Sequence, residues 1–287
     1  MSRGIGEVEA VRDAVPEHLF PIAELVTRFG DVSTLVAVTI AAALVLDRDR
    51  GLSLFGTVIG GFALLTGLKA AFGLPRPPTE LHLIATETTG FPSGHALGAT
   101  LVYGGLVCLV RLGTKRTRFA AAGVSIVLIS LSRLVLGVHY LIDSIAGVLI
   151  AGGYLWILKR YMKYDPRSTL RIGAGLGIIA LLTGVVFGPT LQTACTGAIC
   201  FDTHTAQVAM AGVGAAGAWA LGQTYGLQPV GFGILALGGL FGGIVIPIDL
   251  GLLSNLVATA LGAGAVVIAI EYGSIHRGMV SLHRWLT

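Results

Sequence analysis

Residues 118–158 read RFAAAGVSIVLISLSRLVLGVHYLIDSIAGVLIAGGYLWIL. Two apolar runs, 118–137 and 141–158, flank a short joint at 138–140. Each run approaches the roughly 20 residues that a helix needs to cross about 30 Å of hydrocarbon. Similar runs recur near 31–46, 51–72, 95–111, 171–188, 206–223, 229–247 and 250–270, so the chain offers nine candidate spans. Composition points the same way. Of the 287 residues 54% are hydrophobic and 12% charged, against about 25% charged in soluble domains, and the mean hydropathy is +0.83. The expected fold is all-α, a polytopic transmembrane helix bundle. An interfacial segment over 1–30 leads into a helical bundle over 31–165, and an extension over 166–287 adds about four further spans.

The 42 glycines suit such a bundle, because spanning helices without a hydrophobic drive to associate pack through small residues. Gly56 and Gly60, Gly173 and Gly177, and Gly238 and Gly242 each lie four apart within an apolar run. The first apolar run is short unless it extends upstream through Leu25 and Val26; otherwise the segment from Pro16 to Gly30 reads as an amphipathic helix at the membrane surface. The first thirty residues carry Arg, Glu and Asp and lack an apolar centre, so no cleavable signal is expected.

A net charge of +4 and a pI near 9.1 do not indicate nucleic-acid binding, because the basic residues fall in short loops rather than on one soluble face. They instead set orientation. The loop near Arg111, Lys115, Arg116 and Arg118 and the loop holding Lys159, Arg160, Lys163, Arg167 and Arg171 belong in the cytoplasm, as does the tail with Arg277 and Arg284. The loops at 73–94, 138–140 and 189–205 then face outward from the cell membrane. Cys195 and Cys200, in the last of these, would meet an oxidising compartment, where either a disulfide or buried free thiols fit.

Three polar clusters break the apolar pattern on that outer face. The first is Lys69 with Arg76 and Pro77; the second is Pro92, Ser93, Gly94 and His95; the third holds Ser132, Arg133, His139 and Asp143. A cation in a spanning helix costs roughly 2.5–3.5 kcal/mol at the centre and needs a partner or water, although Lys69 alone also fits snorkelling to the interface. Pro-Ser-Gly reads as a helix start, whose free backbone N–H groups attract anions; Ser93 alone fits a plain cap, and His95 alone an interfacial histidine. His139 and Asp143 stand four apart, so a helix beginning there sets the carboxylate beside the imidazole. That pairing fixes one tautomer and leaves the other ring nitrogen able to attack. Cations, a helix N-terminus and two histidines on one face suit a phosphate in an in-line displacement.

With these residues in order, the sequence resembles the type 2 phosphatidic acid phosphatases, the PAP2 superfamily that includes lipid phosphate phosphatases. Its signature is K-x6-R-P, then P-S-G-H, then S-R-x5-H-x3-D, and every fixed position is present between Lys69 and Asp143. The resemblance covers about residues 50–160 and implies a PAP2-type transmembrane core. It implies that His139 attacks phosphorus, Asp143 orients it, and His95 protonates the leaving oxygen. Lys69, Arg76, Ser93, Gly94 and Arg133 would hold the phosphoryl oxygens. No metal or cofactor is expected, since fixed cations stand where many phosphoryl-transfer sites use magnesium and the sequence has no dense carboxylate cluster. The expected substrate is a lipid phosphate or polyprenyl pyrophosphate among membrane lipids. A phosphotransferase that passes the group to an alcohol acceptor is the alternative, and a transporter a more distant one.

Overall fold

The structure is a computed structural model that describes residues 4–86, 88–111, 113–187, 193–196, 199–225 and 252–286. Eight of the nine apolar runs fall on helices; the ninth, 229–247, lies outside the described residues. Short helices α1 (Ile5–Ala14) and α2 (Phe20–Arg28) precede α3 (Val32–Val45), α4 (Arg48–Phe72), α5 (Gly94–Leu109), α6 (Lys115–Val135) and α7 (Leu141–Ile157). Then follow α8 (Pro166–Val186), α9 (Thr203–Tyr225) and α10 (Leu252–Leu286). Among the described residues, five helical segments are long and apolar enough to cross a membrane: α4, α6, α7 with its continuation to Met162, α8, and Asn255–Tyr272 within α10. A sixth arises if Glu17–Arg28 and Val32–Val45, bent by 45° at their junction, make one broken span. The chain is an integral membrane protein of helical fold.

Helix α5, like α3, is shorter than a full span. Helix α5 has 16 residues, about 24 Å at 1.5 Å per residue. It starts at Gly94 because Pro92 and Ser93 set a helix entrance there, and the bundle encloses it: residues 96–102 are all buried. A helix apolar on every side belongs in an interior. Leu97 and Leu101 of α5 pack with Leu54, Val58, Phe62 and Leu65 of α4, Leu35 of α3, and Ala151 and Leu155 of α7. Helix α5 forms the core's centre, and Ser93 at its N-cap is buried.

Glycines set the closest helix approaches. A Cβ on Gly56 would lie 2.8 Å from the backbone of Thr169 and Leu170, and one on Gly60 3.2 Å from the Cα of Gly173, so α8 lies directly along α4. A Cβ on Gly177 would in turn lie 2.8 Å from the Cα of Ala209 on α9. Gly238 and Gly242 lie outside the described residues. Between α8 and α9 the chain leaves helix for a small antiparallel hairpin of β1 (Thr193–Thr196) and β2 (Ile199–Asp202). Its register sets Cys195 opposite Cys200, whose side chains lie outside the described residues.

The ends of α4 and α6 and the starts of α5 and α7 meet at one end of the bundle. Gly73, with φ +54°, closes α4, and its N–H bonds the carbonyl of Lys69 at 3.0 Å. The following loop folds back so that Gly90 N–H reaches Leu74 O at 2.8 Å and Leu83 N–H reaches Leu136 O at 3.1 Å. Ser93 N–H bonds Asp143 O at 3.0 Å and ties the start of α5 to that of α7. The loops rich in Lys and Arg lie at the opposite end, where Arg48 at the start of α4 pairs at two points with buried Glu271 of α10.

Candidate active site

The site grows from the loop that follows α4. Arg76 leaves that loop through four donations: Nε to Thr88 O at 2.6 Å, Nη2 to Thr88 Oγ1 at 3.1 Å, and Nη1 to both Val138 O at 2.8 Å and His139 Nε2 at 2.9 Å. A guanidinium has no acceptor, so the Nε2 it meets carries a lone pair rather than a proton. The proton of neutral His139 is therefore on Nδ1, which faces Asp143 Oδ2 at 3.4 Å. That carboxylate oxygen is fixed in turn by the Tyr140 N–H at 3.0 Å, in the first turn of α7. The i, i+4 spacing of the sequence thus yields a histidine of one tautomer, and its free nitrogen points at a fixed cation.

His139 and Asp143 are buried. Burial, followed by the positive charges of Arg76, Arg133, Lys69 and His95, holds the His139 imidazole well below the usual histidine range. It therefore stays neutral at neutral pH, the form that can attack. Burial also pushes the Arg76 guanidinium down, to about 10, against the field of Asp143, and it remains charged. Gly137 shapes the loop that carries His139. Its φ of +71° and a would-be Cβ only 1.9 Å from Leu81 O leave no room for a side chain.

From α4, Lys69 in the last turn donates Nζ to Thr89 O. From α5, Ser93 stands at the N-cap without capping, because its buried hydroxyl takes no hydrogen bond among the described residues. Leu97 N–H is the first to find a partner inside that helix, at Ser93 O, so the N–H groups of Gly94, His95 and Ala96 have no intrahelical acceptor. Gly94 lies beside Lys69, whose Cε would be 3.9 Å from a Cβ there. From α6, Arg133 is buried, donates Nη1 to Thr27 Oγ1 at 2.8 Å, and keeps an Nε that meets no acceptor among the described residues. Ammonium, guanidinium, hydroxyl and backbone donors facing one histidine make a cradle for a tetrahedral anion.

All eight residues expected from the sequence thus lie at this one end of the bundle. Three others were not expected. Thr88 holds Arg76, Thr27 receives Arg133, and Asp31 Oδ1 stands 2.9 Å from His95 Nε2. Asp31 follows a glycine and precedes an apolar run, which reads as an ordinary helix cap; only tertiary packing sets it against His95. Among the described residues no group of three or more His, Cys, Asp or Glu side chains converges as a metal site would require.

Residues 50–167 match the profile of the PAP2 superfamily. Among solved structures, the chain is similar to a transmembrane PAP2 type phosphatidylglycerolphosphate phosphatase from Bacillus subtilis. The two share 26% identity over 55% of this chain and 84% of that one, with a TM-score of 0.49. No curated protein matches the chain. The matched segment, 50–167, holds every motif residue of the site from Lys69 to Asp143.

Proposed function

We propose that this protein is a membrane-embedded phosphatase that removes phosphate from a lipid phosphate or polyprenyl pyrophosphate through a phosphohistidine on His139. The observation that carries the reading is the pair of contacts on the His139 ring, Nδ1 toward Asp143 and Nε2 toward Arg76. Asp143 fixes the tautomer that leaves the lone pair on Nε2, and Arg76 sets a cation beside that lone pair, where the oxygens of an incoming phosphate would be held.

In this reading the incoming phosphate draws the Arg76 donors onto its own oxygens and so exposes Nε2. Lys69, Arg133, Ser93 and the N–H groups at the start of α5 take the remaining oxygens. Nε2 then attacks phosphorus as the bond to the leaving oxygen breaks, and His95 gives that oxygen a proton. Asp143 stabilises the positive charge that develops on the ring. Water next attacks the phosphohistidine, His95 takes the proton it sheds, and release of inorganic phosphate restores neutral His139. Charge neutralisation comes from side chains fixed in place, and turnover should therefore persist in EDTA.

The distribution of Lys and Arg supports an extracytoplasmic site in the cell membrane. The basic loops 110–116 and 158–167 lie at the end opposite to the site, and cytoplasmic loops carry the excess of such charge.

The deciding assay offers the purified protein phosphatidate, phosphatidylglycerol phosphate and a polyprenyl pyrophosphate in EDTA, with His139→Ala as the blank. Release of inorganic phosphate, together with an acid-labile phosphoprotein absent from the blank, is the expected result. Turnover that survives in His139→Ala would remove the nucleophile. A phosphorylated acceptor in place of free phosphate would make the protein a transferase.

A further inference from the structure

The sequence motifs supply a carboxylate for one histidine of the site, Asp143 for His139, and none for the other. The structure supplies the second from outside the segment 50–167. Asp31, at the junction of α2 and α3, places Oδ1 2.9 Å from Nε2 of His95. A carboxylate only accepts, so Nε2 carries the proton and Nδ1 is the nitrogen left for exchange with substrate.

Two further observations separate this contact from a helix cap. Asp31 occupies the N-cap position of α3, where a carboxylate ordinarily accepts from the first turn, yet its side chain makes no capping bond. The neighbouring Gly30 is pressed against the same ring, since a Cβ there would lie 2.9 Å from His95 Cδ2 and 2.6 Å from Ile129 Cγ2. The junction is also anchored from both sides. Tyr103 Oη of α5 donates to Phe29 O at 2.9 Å, and Arg133 of α6 donates to Thr27 Oγ1 at 2.8 Å. The stretch from Thr27 to Asp31 is thus built into the site at two of its members.

We infer that Asp31 is a positioning residue for proton transfer. It holds His95 through Nε2 so that Nδ1 delivers a proton to the leaving oxygen and later receives one from water. This rests on the phosphohistidine reading above. The proton balance is simple: protonated His95 donates from Nδ1 as the phosphorus–oxygen bond breaks, and the Nε2–H stays on Asp31 throughout. Burial disfavours the protonated ring, Asp31 favours it, and Arg133 from α6 and Arg76 from the loop after α4 oppose it with like charge, while the nearby His139 is neutral.

The test compares wild type with Asp31→Asn on an alkyl phosphate lipid and on p-nitrophenyl phosphate, whose leaving group needs no proton. The quantity read is kcat/KM, which covers steps up to formation of the phosphoenzyme. Asp31→Asn is expected to lose about 10-fold or more on the alkyl substrate and to stay within about 3-fold on the aryl one, a fraction of the 10²–10⁴-fold that acid catalysis contributes. The basic limb of the alkyl profile should move to lower pH by about one unit, because removal of a neighbouring negative charge makes His95 release its proton sooner. Asp31→Glu should recover part of the alkyl rate, and it serves as the variant to compare if Asp31→Asn does not fold. Equal losses on both substrates with an unmoved basic limb would make Asp31 structural and overturn the inference. Unchanged kinetics in Asp31→Asn beside a dead His139→Ala would overturn it alone, whereas His139-independent turnover would overturn the phosphohistidine reading with it.

Discussion

His139 stands between a carboxylate and a guanidinium, and the two neighbours act on its proton in opposite ways. Asp143 favours a charged ring. Burial and the cations headed by Arg76 disfavour it, and they prevail in the free protein, which keeps the imidazole neutral well below the usual histidine range. With His139 as the proposed nucleophile, the acid limb of kcat/KM, where protonation would silence it, should fall at lower pH than a solvent-exposed histidine near 6.5 would give. Replacing Arg76 by Ala removes a positive charge 2.9 Å from Nε2, so protonation becomes easier and the His139 value rises. The acid limb of Arg76→Ala should move to higher pH on top of a general loss of rate, as measured on one substrate so that its own ionisation is common to both proteins. An acid limb that stays in place would mean that Arg76 acts on substrate oxygens alone.

Helix α4 carries the first cation of the site and rests on α8 through glycines. A methyl group at Gly56 would come within 2.8 Å of the α8 backbone at Thr169 and Leu170, and backbone cannot swing aside as a side chain can. Overpacking of this kind costs about 1–3 kcal/mol. Gly56→Ala should lower the apparent Tm in detergent by several degrees, while Gly175→Ala on α8, where a Cβ meets nothing within 4 Å, should leave it unchanged or slightly raised. Equal Tm values in the two variants would show that α8 does not press on α4. The pairs Gly56 with Gly60 and Gly173 with Gly177 were legible in the sequence because small residues four apart mark one helix face. The motif residues were legible for a related reason: Lys69, Ser93 and Asp143 occupy helix ends and His139 the short joint before α7, where local spacing fixes which side chains meet. The role of Asp31 was not, because a contact over 64 positions depends on where α3 packs, and an Asp before an apolar run has a sufficient local explanation as a cap. The shortness of α5 was hidden likewise, since an apolar run does not reveal whether lipid or protein surrounds it.

Across the whole molecule, charge and chemistry lie at opposite ends. The loop from 73 to 93 holds Arg76 as its one Lys or Arg, and the joint at 136–140 has none. At the far end stand Arg111, Lys115, Arg116, Lys159, Arg160, Lys163 and Arg167, and there α10 is tied to α4 by Glu271 and Arg48. The N-terminal arm belongs to the site end, where Arg12 of α1 reaches Glu80 O at 3.5 Å. An asymmetry of this size sets orientation through retention of the basic loops in the cytoplasm. Single cysteines placed at Thr79 and at Arg116, in a background without Cys108, Cys195 and Cys200, report the outcome directly, because both positions are exposed. A membrane-impermeant maleimide applied to intact cells should label Thr79→Cys and spare Arg116→Cys until the membrane is opened. The reverse pattern would put the site in the cytoplasm and restrict its substrates to the inner leaflet. The expected pattern confines them to lipids whose phosphate is presented on the outer leaflet, so the same labelling also narrows which phosphates can reach His139.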